Sequence, residues 1–481
     1  MSDPRSTYAE RRERLYAQLA EEYKALCPAS HAFHQRATTR LVDGGSHALR
    51  MFQPFPAWVR SARGAYVYDL DGRAILDFWQ GHFANILGHN PPQITEPLAE
   101  ALRQGRGLQS GMQDVWEWEL ADLLCQRVGA EMVRFTTSGS LATMYAILLA
   151  RAYTGRDLVL KMGGGWHGAQ PWSLKGVHYG PEGFQGVESE GLPGEVVRQV
   201  LVTAFNDVDA LEKVFREHGD CIACMIVEPG IGAGGGILAH PEYLRRAREL
   251  THQYGAVLIF DEIIDGFRFR AGNLGAMYGV QPDLTTLGKI MGGGMPVAAV
   301  AGRADILKLS GREGGRRVRF DGGTYSAHPL SMLAGRLMIE YLVDNEERVY
   351  PRLAEMGARL REQVEAAFAE EGILVRCTGG PNAAVPGSSL AFLQFPYYED
   401  VPMDRPDAIN NPALCDVEMR ERVAKLALLL EGVFVVHGFG ALSTAHTDED
   451  VDRAVQACRA VARRLREAGL TTPLPKQGQG S

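Results

Sequence analysis

Between residues 130 and 302 the chain alternates short apolar runs with stretches of helical spacing. VRFTT precedes 141–152, LVLKM follows, QVLVTAF precedes 207–218, CIACMIV precedes 241–254, and AVLIF, DLTTLG and AAVAG complete the series. Runs this apolar suit strands buried on both faces, with the intervening helices as cover. The pattern therefore predicts an α/β fold around a mostly parallel central sheet. The helix at 241–254 carries its own punctuation: Pro241 in its first turn, Leu244, Ala247 and Leu250 on one face, and Gly255 as a stop. At 481 residues the chain exceeds the roughly 250–300 residues that one core usually supports, so two domains are expected.

The flanks read differently. Over 8–26, Tyr16, Leu19, Tyr23 and Leu26 fall three and four apart among charged residues, the spacing of an amphipathic helix packed on the body or on a partner subunit. AYVYDLDGRAILDF (65–78) alternates at period two about Asp71-Gly72, a hairpin turn. Over 448–468, Thr447 caps a helix whose stripe is Val451, Val455, Cys458, Val461 and Leu465, and Gly469 ends it. The last residues, TTPLPKQGQGS, are polar and rich in Pro and Gly, and a mobile tail is expected.

Composition excludes several classes. A formal charge of −8 with both signs interspersed leaves no basic block to track a phosphate backbone, so no nucleic-acid partner is expected. The N-terminal stretch lacks an apolar secretory core and nowhere do eighteen apolar residues run together, so neither membrane insertion nor export is expected and the location is read as cytoplasmic. Seven scattered cysteines suit reduced thiols. Cys221-x-x-Cys224 has no second ligand pair at metal spacing and sits in CIACMIV, so both are read as buried strand residues and no metal is expected.

In open α/β sheets, ligands bind beyond the carboxyl ends of the strands, which directs attention to the polar residues after each apolar run. VRFTT ends in Thr137-Ser138-Gly139-Ser140 and passes into a helix, whose free N–H groups and positive dipole end suit a phosphate. Simple capping by Ser138 or Ser140 is the alternative. GAVLIF ends in Asp261-Glu262, an acid at the mouth of a central buried strand, where it needs a cationic partner. A protonated heterocyclic nitrogen would serve, as would a structural ion pair. Lys289 follows DLTTLG and precedes three glycines, so its side chain can enter a cleft, either to pair with an anion or to form a Schiff base. Gly230-Ile231-Gly232-Ala233-Gly234-Gly235 matches GxGxxG, but Ile237–His240 intervene before the helix at Pro241, which disfavours dinucleotide binding.

Taken in order, YVYDLDG, ILGHNPP, VRFTTSGSLATMYAILLARAYTGRD, GGGWHG, MIVEP, LIFDEIIDGFR, PDLTTLGKIMGGGMPVAAVAGR, GTYSAHPL and AHTDEDVD resemble the motifs of the class III (ω-type) aminotransferases. The resemblance spans about 40–465 and is strongest to the branch holding glutamate-1-semialdehyde aminomutase and the β-amino-acid aminotransferases.

That resemblance implies a fold-type-I transferase dependent on pyridoxal 5'-phosphate. Its large cofactor-binding domain would span 96–335. A smaller α+β domain would be built from both chain ends, with the arm and first part in 1–95, the rest in 336–468 and a tail over 469–481. Lys289 would hold the cofactor as a Schiff base, Asp261 would pair with the ring nitrogen, and Ile263 and Trp166 would flank the ring beside His167 and Glu228. Ser138, Gly139 and Ser140 would take the phosphate, joined by Thr324 from the other subunit of a homodimer. For the substrate carboxylate the candidates are Arg50, His47 and His437. Arg50 could equally serve in a surface ion pair.

Three departures stand out. Leu141 follows Ser140 where the family has Glu, Asp265 replaces a threonine, and Gly81-His82 stand where the aminomutases have Ser-Trp. The expected activity is therefore amino-group transfer between an amino acid or amine and a keto acid or aldehyde. An intramolecular 2,1-aminomutase is the alternative, and a racemase or a non-catalytic cofactor-binding protein stands further off.

Overall fold

Four-to-six-residue runs of Ile, Val, Leu and Met between helices can satisfy their backbone only by pairing with one another, and the seven-stranded sheet is the result. A computed structural model describes residues 4–313 and 317–471. Before that sheet comes a small one: β1 (Val59–Arg63), β2 (Tyr66–Asp69) and β3 (Ala74–Asp77) pair antiparallel, the β2–β3 turn being the expected hairpin at Asp71-Gly72.

The large sheet uses β4 (Met132–Thr136), β5 (Leu158–Met162), β6 (Val200–Thr203) and β7 (Ile222–Val227). The short pair β8 (Gly230–Ile231) and β9 (Ile237–Leu238) then turns back on itself, so the glycine-rich stretch is a hairpin loop and not a dinucleotide turn. The sheet resumes with β10 (Val257–Glu262), β11 (Leu284–Leu287) and β12 (Ala298–Gly302), in the order β4-β12-β11-β10-β7-β5-β6. Only β12 runs against its neighbours. β10 lies at the centre and is buried along its length, as its composition requires.

One cysteine expectation is corrected. Cys224 is buried within β7, but Cys221 is exposed, because the strand begins at Ile222 and Cys221 closes a 3-10 turn before it.

The second half adds β13 (Arg376–Thr378), β14 (Leu390–Gln394), β15 (Val433–Phe434) and β16 (Gly440–Ala441). β15 joins β3 in parallel, which ties the C-terminal part to the first sheet. The helix Pro4–Leu26 packs on this body: Leu15, Leu19 and Tyr23 are buried, Leu26 is exposed, and Arg12 and Glu13 pair with Asp416 and Arg422. Segment 396–416 reaches the large sheet's loops, with Asn410 Nδ2 donating to Gly234 O at 3.1 Å and Asn206 Nδ2 donating to Asp404 O at 2.9 Å. The helix Asp448–Glu467 starts in a reciprocal capping box between Thr447 and Asp450. Most of the expected tail, 472–481, lies outside the described residues. Among the described residues no helix is long and apolar enough to cross a membrane.

Candidate active site

β4, β5, β7, β10 and β11 all point their carboxyl ends at one edge of the sheet, and the residues that follow wall a cavity of about 180 Å³. After β4, Ser138 caps the helix Gly139–Thr154 by accepting from Leu141 N at 3.4 Å, and Ser140 Oγ accepts from Ala169 N at 3.2 Å. A Cβ at position 139 would come within 3.1 Å of Ile263 Cδ1, so glycine keeps this helix start bare toward the cavity.

After β5 the chain runs through Trp166-His167-Gly168. Glu228, one residue past β7, holds that loop: Trp166 N–H donates to Oε1 at 2.9 Å, and Gly232 N–H donates to Oε2 at 3.0 Å. Burial, helped by the charge of Asp261, pushes the Glu228 carboxyl up to about 8. Beneath the same loop, buried Lys161 donates from Nζ to Gly165 O at 3.0 Å and to Lys175 O at 2.8 Å. Burial draws its ammonium down to about 7.

Asp261 meets the imidazole of His167 through Oδ2 at 2.8 Å and the hydroxyl of Thr286 through Oδ1 at 2.8 Å. Burial lowers the pKa of His167, so the neutral ring donates from Nδ1 and its own carbonyl accepts from Thr143 Oγ1 at 2.6 Å. Asp265 is buried behind this wall, with Oδ2 accepting from Gly230 N–H at 2.7 Å. Its pKa is raised well above the usual range by burial and then by Glu228.

Lys289 opens a 3-10 turn with a left-handed φ of 48°, and its side chain borders the cavity. Its amine donates to no acceptor among the described residues. Burial lowers its pKa to about 8, against the pull of Asp261 and Glu228. Such an amine is partly unprotonated near neutral pH and is nucleophilic in that form.

Beyond Lys289 a second cavity of about 480 Å³ is lined by Arg50, Trp79 and His82 together with Phe52, Val59, Met295 and Phe434, the Trp79 and Phe434 rings lying 5.8 Å apart. Arg50 Nε donates to His82 Nε2 at 3.2 Å, and the His47 ring lies 4.4 Å from that of His82. Arg50 and His47 are thus brought together near Lys289. His437 is not brought to them: on a left-handed turn (φ 55°), it pairs through Nδ1 with Glu421 at 3.2 Å, and Glu421 also takes Arg420 Nε at 2.7 Å. Thr324 is exposed, its carbonyl accepting from Gln109 Nε2 at 3.1 Å, and it does not border the Lys289 cavity of its own chain.

Sequence reading missed Thr286, Lys161, Arg268 and His82 as participants. Thr286 had a signal, since a hydroxyl in DLTTLG falls in register beside Asp261 once the two strands pair. Lys161 was the only charge in LVLKM. His82 was visible only as a departure from a family pattern. Arg268, buried, donates from Nε to Ile264 O at 2.9 Å and through its terminal nitrogen to Phe83 O.

Residues 49–379 match the family model of the class III aminotransferases. Among curated relatives, the glutamate-1-semialdehyde 2,1-aminomutase of Thermoplasma acidophilum is 33% identical over 88% of this chain and 96% of its own. An ω-transaminase structure from Sphaerobacter thermophilus superimposes with a TM-score of 0.81 at 33% identity, covering 91% of this chain and 98% of the other. A transaminase structure with PLP bound gives 0.79 at 30% identity, with 92% and 99% coverage. The cavity suits that cofactor chemically: a bare helix start for a phosphate, a buried carboxylate for a protonated ring nitrogen, and an unbonded amine of lowered pKa for an aldehyde. By sequence, by fold and by this chemistry, the chain belongs to the class III aminotransferase family and is a pyridoxal-phosphate enzyme.

Proposed function

We propose that the chain is a cytoplasmic, homodimeric aminotransferase that takes its amino group from an amino acid bearing an apolar substituent. The observation that carries this reading is that Lys289 lines both cavities. One is the chamber with the helix start and Asp261, and the other offers a guanidinium among apolar side chains. A donor with a carboxylate and a hydrocarbon side chain suits a lining that mixes a guanidinium with apolar side chains.

Pyridoxal phosphate supplies an electron sink that acidifies the proton on the amino-bearing carbon. The chain's residues do the rest. The helix start at Gly139 with Ser138 and Ser140 would bind the phosphate, with Thr324 of a second copy completing that site. Trp166 and Ile263 would hold the ring, and Glu228 fixes the backbone of Trp166. Asp261, oriented by His167 and Thr286, would keep the ring nitrogen protonated. Lys289 would hold the cofactor through its aldehyde, and its amine is the group placed to move a proton beside it. Arg50, with His47 beside it, orients the donor's carboxylate. The same division of labour supports reading 96–335 as the cofactor-binding domain and 1–95 with 336–468 as the smaller one.

Intramolecular 2,1-amino migration is the second reading, favoured by the curated aminomutase relatives. The apolar wall and His82 speak for transfer between two molecules. The test is the absorption of bound pyridoxal phosphate in the native enzyme and in Lys289→Ala, followed with a panel of α-, β- and ω-amino donors. Loss of the native band with a donor and its return with a keto acid establish transamination. Nitrogen-15 retained within one molecule, without crossover, would establish the mutase instead.

A further inference from the structure

The roles above leave His82 unused, although it borders the second cavity and touches the residue assigned to the donor's carboxylate. It sits in an unusual turn: Gln80, Gly81, His82 and Phe83 all have left-handed φ angles, of 45°, 62°, 62° and 66°. L-residues adopt that conformation in succession only when their surroundings impose it. Here they do. Asp77 accepts from Trp79 N–H at 2.8 Å and from Gln80 N–H at 3.1 Å, and the buried Arg268 grips the carbonyl of Phe83. The strained turn aims the imidazole at the cavity, where its ring lies 3.8 Å from Trp79 and 4.4 Å from His47.

Arg50 is the opposite kind of residue. It ends a three-residue 3-10 turn, is exposed, and forms no ion pair with a carboxylate among the described residues. A free guanidinium on such a turn samples many rotamers and loses that freedom when it binds an anion. We infer that His82 is a positioning residue that clamps Arg50 through its Nε, leaving the two terminal nitrogens to take the donor's carboxylate bidentately. The inference rests on the aminotransferase reading for the identity of the donor. Nε–H···Nε2 geometry at 3.2 Å requires a neutral His82 whose proton is on Nδ1. Burial, with His47, Arg50 and Lys289 all nearby, holds that ring neutral.

The experiment is calorimetric titration of the holoenzyme with 3-phenylpropanoate, which has the carboxylate and an apolar ring but no amine to react. His82→Phe keeps a ring on Trp79 but lacks the acceptor, whereas His82→Gln restores an acceptor. The expected Kd rises roughly tenfold in His82→Phe and returns to within about threefold of native in His82→Gln. In an Arg50→Gln background His82→Phe should add nothing. With reacting donors, kcat/KM for 3-amino-3-phenylpropanoate should fall about tenfold further than that for 1-phenylethylamine, which has no carboxylate. Should His82→Phe not fold, His82→Ala removes the same acceptor and leaves the Arg50 guanidinium intact. Equal Kd values in native and His82→Phe proteins, no binding to the native enzyme, or equal losses in the Phe and Gln variants would each overturn the inference. Binding in the expected order without turnover of any donor would leave the clamp standing and remove the aminotransferase reading instead.

Discussion

Asp261 and Glu228 are both buried at the cavity edge, yet their surroundings treat them differently. Asp261 receives an imidazole N–H and a hydroxyl, while Glu228 is held by two backbone amides and pushed up to about 8. Asp261 is thus the carboxylate that side-chain donors orient at the cavity, and Glu228 serves the loop. Asp261→Asn should preserve the fold and retain cofactor while turnover falls by roughly a hundredfold or more, about 2.7 kcal/mol of barrier. Cofactor titration alongside steady-state rates checks this; an unchanged rate would remove Asp261 from the chemistry. Asp261 and Lys289 were legible in the sequence because each directly follows an apolar run, and strand ends are where such folds place ligands. The Arg50–His82 contact was not, because it joins residues 32 apart through a left-handed turn that composition does not announce. His437 lies apart from Arg50 and His47 because Glu421, 16 residues earlier, holds its ring.

Elements were legible where they carry local punctuation. The helix Asp448–Glu467 was foreseen from its cap and stripe, and its capping box is formed. Thr447→Ala removes one half of that box and should cost about 1 kcal/mol, read as a lower urea midpoint with unchanged slope. Strand direction was less legible, since AAVAG reads alike either way, and β12 is the strand that runs against its neighbours. β5 hides a different feature in Lys161. Its folded-state pKa is about 7 against an ordinary value of 10.5, so between those limits the unfolded chain binds the extra proton and stability rises with pH. Lys161→Met abolishes that contribution. The stability of the native protein relative to the variant should therefore grow between pH 7 and 9, by up to about 1.4 kcal/mol per unit. Denaturation at three pH values tests it, and a constant difference would mean that the lysine is not depressed.

At the scale of the whole molecule, the chain leaves apolar side chains in water around the segment that presents Thr324. Leu108, Met112, Trp118 and Tyr325 are 74%, 80%, 70% and 62% exposed, and Gln109 bonds the carbonyl of Thr324 itself. In the homodimer proposed above, a second copy of the chain would cover this apolar surface and supply Thr324 to the helix start at Gly139. On that proposal, dimerisation and cofactor retention are one property. Leu108→Asp combined with Met112→Asp places two charges on the surface without disturbing a buried contact. Light scattering should report a dimer for the native protein and a monomer for the variant. Equilibrium dialysis should show weaker retention of pyridoxal phosphate by the monomer, because one phosphate donor has been withdrawn. A variant that is monomeric yet binds the cofactor as tightly as the native enzyme would show that each chain completes its own phosphate site, and Thr324 would lose its assigned place.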